Sequence, residues 1–283
     1  MYPFIHLGPI TLGTYGILVA TALLVAYFVL RADFLRRALA VDAETVVGIT
    51  GLAGLVGARL YHLMESPREF FADPWPLLFS TMGFAWFGSV IAGFLALVLL
   101  ARRYKIKMLT MLDAASPAAA LGYGVGRIGC LISGDGDYGK PTTLPWGMSF
   151  PNGIVPTTQH VHPTPIYEFL IAIVIFWILW RVGGRAIREA RPAGIVFAAY
   201  LVLTGVARFL IEFIRINPRS FFGMTNAQAA SLASILAGAL LFWFVRARGD
   251  GQANPPSKSA GPKSGRARAQ TASKRAGLTL HSI

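Results

Sequence analysis

Charge is scarce in this chain: 14% of its 283 residues are Asp, Glu, Lys or Arg, against about 25% in a soluble globular domain. Cysteine is scarcer still. Cys130 stands alone, which excludes an internal disulfide framework and any cysteine metal cluster. Acidic residues number 13 against 26 basic ones, and the excess of positive charge invites a nucleic-acid reading that its distribution does not support. What the chain has in quantity is apolar sequence: 54% hydrophobic residues and a mean hydropathy of +0.55. Uninterrupted apolar runs of about 20 residues are long enough to cross a bilayer.

Hydropathy predicts an all-α integral membrane protein with about seven transmembrane helices, at roughly 11–30, 44–64, 82–101, 109–131, 164–181, 193–213 and 226–246. The N-terminus lacks a basic region and the first apolar run is long enough to span, so no removable signal peptide is expected. Basic residues mark alternate loops: Arg31, Arg36 and Arg37; then Arg102, Arg103, Lys105 and Lys107; then Arg181, Arg185, Arg188 and Arg191; finally Arg246 and Arg248. The intervening loops balance Arg68 and Lys140 against Glu65, Glu69, Asp73, Asp135 and Asp137. The positive-inside rule then puts the N-terminus outside and the C-terminus in the cytoplasm. Residues 1–248 form the membrane domain. Residues 249–283, rich in Pro, Ser, Ala, Gly, Lys and Arg and without aromatics, form a disordered basic cytoplasmic tail. The plain reading is a solvated tail, with contact to anionic inner-leaflet lipid as the alternative and nucleic acid not expected. The outer loop of about 133–162 is long enough for a small exposed head, with a turn at Asn152-Gly153.

Ionisable residues inside spans are costly unless paired or wet, so each is a candidate functional group. Four groups stand out, all near the outer face. Arg59 and His62 lie in GARLYHLM. Arg127 interrupts the stretch GRIGCLISGDGDYG at 126–139. Arg208, Glu212 and Arg215, spaced by four and seven, are predicted on one helical face. HPTPIYEF at 162–169 carries His162, Tyr167 and Glu168 at a helix start, with Thr164 placed to cap it and Pro165 in its first position. Arginines from separate spans converging on one side predict a cationic pocket, and the planar fork of arginine suits phosphate. The G-x-G-x-x-G of residues 124–129 has no preceding strand and no βαβ unit, so its glycines serve helix packing rather than a dinucleotide. Asp135-Gly136-Asp137 lacks the remaining ligands of a calcium loop and reads as a polar turn. Neither a metal nor a cofactor is expected.

Several of these segments together resemble the prolipoprotein diacylglyceryl transferase family. GRIGCLISGDGDYG is similar to the family's G-R-x-G-N-F-x-N-G-E-x-x-G: Arg127, Gly129, Gly134 and, after one inserted residue, Gly139 match, Asp135 stands at the acidic position, and Cys130 and Ser133 replace asparagines. HPTPIYE resembles H-P-S-Q-L-Y-E, ARFLIEFIR resembles R-F-x-x-E-F-x-R, and GMTNAQAASL resembles G-M-x-x-x-Q-x-x-S-L. TLGTYGILVA places Tyr15 at a family functional position, and the matches run in family order over about residues 8–245.

The resemblance implies an enzyme of lipoprotein biosynthesis, multi-pass in the bacterial cytoplasmic (inner) membrane. Such an enzyme moves the diacylglyceryl group of phosphatidylglycerol to the lipobox cysteine thiol of a preprolipoprotein. Its partners are phosphatidylglycerol, the lipobox of the signal peptide and membrane lipids. Arg127 and Arg208 are the catalytic candidates, stabilising the leaving phosphate. Arg127, Tyr15, Asp135, Gly139, His162, Tyr167, Glu168, Glu212, Arg215 and Gln228 are the substrate-binding candidates. The thiol must lose a proton, and His162, Glu168 and Asp135 are open alternatives as its acceptor. The family carries a histidine in an F-H-G-G-L element on the third span, where this chain has FAWFGSVIAG and Phe87 takes its place. That departure keeps two alternatives open: a paralogue with another acceptor, and an inactive phospholipid-binding or transport protein.

Overall fold

The structure is a computed structural model and describes residues 2–65, 67, 70, 75, 85–219 and 222–250. Among the described residues there are seven helices: α1 (Thr14–Arg36), α2 (Ala43–Glu65), α3 (Trp86–Arg103), α4 (Met108–Ser133), α5 (Thr164–Arg188), α6 (Ile195–Ile211) and α7 (Asn226–Asp250). Each overlaps one predicted span. By length and composition α1, α2, α5 and the Asn226–Ala247 part of α7 can cross a membrane, while α6 is a shorter apolar helix of 17 residues. The basic tail expected beyond α7 and the acidic residues Glu69 and Asp73 lie outside the described residues.

Two short antiparallel hairpins depart from the expected all-α class: β1 (Phe4–Leu7) with β2 (Ile10–Gly13), and β3 (Met148–Phe150) with β4 (Thr157–Val161). The first corrects the start of the predicted first span, because residues 11–13 pair as a strand and the helix begins at Thr14. Gly8, at φ +60°, makes the turn, and Pro3 O accepts both the N–H and the hydroxyl of Thr14 at 3.0 Å. The second hairpin lies within the loop expected to form an outer head.

Between helices in hydrocarbon there is little hydrophobic gain from contact, so close backbone approach through small residues matters most. The α2–α3 pair shows this: a Cβ on Gly57 would lie 2.5 Å from Gly88 O, and one on Gly88 would lie 2.2 Å from Gly57 O. Apolar side chains cluster where the far ends of α1 and α3 meet the starts of α2 and α4, around Leu30, Phe34, Val46, Leu100 and Met111. A second cluster joins α4, α5 and α6 through Ala120, Ile175, Leu179 and Val196.

Helix ends are satisfied by specific partners. The buried Asp113 of α4 accepts the backbone N–H groups of Gly194 and Phe197, both at 2.8 Å, and so caps α6 from another helix. Thr225 and Gln228 form a reciprocal capping box at the start of α7, each bond 3.1 Å. Thr164 does not cap α5 as expected. Its hydroxyl donates instead to Asp137 O, and the cap position belongs to Pro163.

Candidate functional site

The site is assembled at one end of α4, α5 and α6. Tyr123 and Arg127 are four apart on α4 and therefore share a face, with Arg127 Nε donating to the Tyr123 hydroxyl at 3.1 Å. Four residues beyond Arg127's neighbour Cys130, Gly134 adopts φ +59° and ends the helix in the left-handed conformation that glycine accepts readily. The chain then doubles back. Asp135 accepts the backbone N–H of Asp137 at 3.2 Å, and the Asp137 side chain returns to Arg127.

Glu168, on the second turn of α5, is the hub. Its carboxylate is 4% exposed and receives the Tyr123 hydroxyl at 2.6 Å, Arg127 Nη2 at 3.0 Å and Arg208 Nη1 at 3.1 Å. Arg215 Nη1 lies 3.6 Å away. Arg208 also pairs with the fully buried Glu212 at 3.0 Å, as the spacing of four predicted. Arg215 reaches the cluster by another route. The helical face expected to carry it stops at Ile211, the chain turns through 212–214, and Arg215 forms an isolated bridge with Gly139. From there it donates to Asp137 through both the backbone carbonyl, at 3.1 Å, and the carboxylate.

The pocket expected to be cationic is thus a balanced ion cluster. Arg127, Arg208 and Arg215 face Glu168, Glu212 and Asp137. Burial would raise the Asp137 carboxyl, but Arg127 and Arg215 outweigh it and hold the group at about 2. Asp135 behaves oppositely. Burial pushes its carboxyl above the ordinary range, and the negative Asp137 adds to the shift.

The other expected residues fall around this cluster. Tyr15 packs its ring against the backbone of Gly129, where a Cβ would lie 3.3 Å from it. Gly139 is a pinch point: a Cβ there would meet Ile214 O at 2.6 Å and His162 Cβ at 2.9 Å. His162 Nδ1 lies 3.3 Å from the Tyr167 hydroxyl, which also accepts the Trp146 indole N–H at 2.8 Å. Gln228 is placed in the α7 capping box. Arg59 and His62 lie in the last two turns of α2, with His62 Nδ1 3.9 Å from Glu65. Phe87 occupies the first turn of α3, its ring centroid 6.5 Å from that of Tyr61.

Sequence reasoning missed Tyr123 and the pairing of Asp137. The first has a signal, since it is one turn from Arg127. The second does not, because its partner Arg215 is 78 positions away. Cys130, Asp135 and Asp137 bring ligand-type atoms within 4.8 Å of one another, a spacing compatible with a cation. Arg127 and Arg215 already supply positive charge to Asp137 at that place, and a buried cysteine with two aspartates is a poor donor set for a hard oxygen-seeking ion.

A family model described as prolipoprotein diacylglyceryl transferase matches residues 3–244. Among curated proteins, the chain is 34% identical over 243 residues to the phosphatidylglycerol–prolipoprotein diacylglyceryl transferase of Clostridium tetani, covering 83% of this chain and 93% of that protein. It is 34% identical over 219 residues to the protein of the same name from Geobacter sulfurreducens, covering 75% and 81%. The likeness to the one from Bordetella avium is 31% over 262 residues, covering 88% and 96%.

Proposed function

The chain belongs to the prolipoprotein diacylglyceryl transferase family, and from that premise we propose that its ion cluster is where a phospholipid phosphate is held during transfer. The protein moves the diacylglyceryl group of phosphatidylglycerol to prolipoprotein. The observation that carries the site assignment is the convergence of three arginines, from α4, α6 and the segment after α6, on the buried Glu168. The alternatives of a paralogue with another acceptor or an inactive lipid binder are not favoured, since the relatives matched above are all named as this transferase.

In chemical terms the reaction is an alkyl transfer. A thiolate sulfur of the lipobox cysteine attacks a glycerol carbon, the carbon–oxygen bond to phosphate breaks, and glycerol phosphate leaves. Charge therefore grows on the departing phosphate, and fixed guanidinium groups in a low-dielectric site stabilise that growth without having to reorganise. Arg127 and Arg208 take this role, with Arg215 supporting them. Glu168 and Glu212 hold the arginines in position, and Tyr123 fixes Arg127 from the preceding turn. The thiol proton needs an acceptor, and Asp135 suits the task because burial raises its carboxyl toward the pH at which a base works. Glu168 suits it less, since Tyr123 and the arginines already take up its oxygens. Tyr15, His162, Tyr167 and Gly139 border the lipid and peptide entrance.

The chain lies in the bacterial cytoplasmic membrane with seven spans, the site toward the outer leaflet and the C-terminus inside. Four helices of sufficient length and apolarity support this, as do basic residues at alternate loops. The test is purified full-length protein with phosphatidylglycerol vesicles and a lipobox peptide, read by mass spectrometry. A thioether-linked diacylglyceryl adduct is expected. Its absence, with a relative active in parallel, would refute the assignment.

A further inference from the structure

A second group of arginines lies where the end of α1 meets the far end of α5. Asp33 of α1 is fully buried, and both Arg36 and Arg37 turn back to it. Arg36 Nε reaches Oδ1, and Arg37 Nε reaches Oδ2 at 2.7 Å. One carboxylate therefore serves two guanidinium groups. Arg36 is laid across α5: its Nη1 donates to Trp180 O at 2.9 Å, and its guanidinium carbon is 3.8 Å from the Trp180 ring centroid.

Two donors are left over. The Nη2 atoms of Arg36 and Arg37 are buried and, among the described residues, have no hydrogen-bond partner. The Arg37 side chain is only 9% exposed. Both atoms face Gly183, where a Cβ would lie 2.5 Å from Arg36 Nη2 and 3.3 Å from Arg37 Nη2. At the next residue, Gly184, the corresponding position lies 3.5 Å from Arg188 Nη1 and 3.8 Å from Arg36 Nη1. Three guanidinium groups from two helices thus surround a glycine pair. Asp113, the other buried carboxylate at this end, has its oxygens on the N–H groups of Gly194 and Phe197. Counting it, the two inward-facing arginines meet two buried carboxylates, and the exposed Arg188 adds a third cation at the surface.

Buried donors are almost always satisfied, and leaving a buried guanidinium N–H without a partner is costly, so the two Nη2 atoms call for an acceptor. Arginine forks match phosphate oxygens, and basic pockets between helices at a membrane face accept lipid head groups. Arg188 is exposed and the Arg36 side chain is 20% exposed, which gives an anion a way in. From Glu168 to Gly183 the α5 axis rises about 22 Å, so this cluster and the transfer site lie toward opposite leaflets. We propose that Arg36, Arg37 and Arg188 form a phosphate-binding site around Gly183-Gly184, separate from the transfer site, whose ligand is the phosphate of an anionic lipid head group.

The test uses detergent-purified full-length protein titrated with dioleoylphosphatidic acid, dioleoylphosphatidylcholine or inorganic phosphate, followed by thermal melting. Phosphatidic acid should raise the melting midpoint of the wild type and of Arg127→Ala, and phosphatidylcholine should not. Arg188→Gln, a change at an exposed residue, should weaken the apparent affinity about tenfold or more, as should Arg36→Lys. Inorganic phosphate reproducing the shift, with the same dependence on Arg188, would identify free phosphate as the source of the ligand. An effect lost in Arg127→Ala but kept in full by Arg188→Gln would overturn the proposal. So would equal stabilisation by phosphatidylcholine.

Discussion

Glu168→Gln is the most revealing single change in the transfer site. It preserves shape and removes one charge from a carboxylate that is 4% exposed. In the wild type that carboxylate receives Tyr123, Arg127 and Arg208 and stands 3.6 Å from Arg215. The variant leaves three arginines against two carboxylates and turns an amide NH2 toward guanidinium donors. Removing one partner of a buried ion pair costs about 3–5 kcal/mol. For a chain of this size that corresponds to a fall of about 6–20 °C in melting midpoint, at roughly 2–4 °C per kcal/mol. Transfer should fall as well, by about 100-fold or more, because the arginines proposed to hold phosphate lose the group that aims them. The assays are thermal melting in detergent, followed by mass spectrometry of a lipobox peptide at a temperature where the variant is folded. A variant that melts like the wild type and loses activity alone would show that Glu168 reacts rather than positions. One that keeps both properties would refute the hub reading.

Three further outcomes follow from the same geometry. Asp137, held at about 2 in the folded chain, contributes about 2 kcal/mol above pH 4 that disappears as the pH falls from about 4 to about 2; Asp137→Asn should lose this at neutral pH and show a flatter acid melting profile. Gln228→Ala removes half of the α7 capping box and should cost about 1 kcal/mol without changing KM for phosphatidylglycerol, whereas a raised KM would return Gln228 to the substrate. Phe87→His should leave transfer unchanged or raise it in the peptide assay, and complete loss of activity would show that the third-span histidine position is misassigned.

Much of the architecture was legible because bilayer thickness forces long apolar runs, and all seven runs became helices. The hairpins were harder. Residues 10–13 run straight into the apolar helix that follows, and the Gly8-Pro9 turn is the main sequence sign of a hairpin. Within the site, Arg127, Glu168, Arg208 and Glu212 were found because ionisable groups in apolar runs are conspicuous. The route of Arg215 was not, since its spacing of seven from Arg208 fits a helix that in fact ends at Ile211. Charge balance was also hidden: Asp137 looked like part of a polar turn until the left-handed Gly134 brought it back to Arg127.

The bridge from Asp137 to both Arg127 and Arg215 places a competitor for any incoming anion inside the protein. Its carboxylate rests on guanidinium groups proposed to hold phosphate, so these charges already have partners within the protein. Being 30% exposed and carried on a loop, it is also the carboxylate most easily displaced. On that proposal, a substrate with two acyl chains anchored beside the site would have the binding energy to evict it, whereas a small soluble phosphate would not. Selectivity for a membrane-borne donor would then come from a residue that need never touch the lipid, and inorganic phosphate should inhibit Asp137→Asn far more strongly than the wild type.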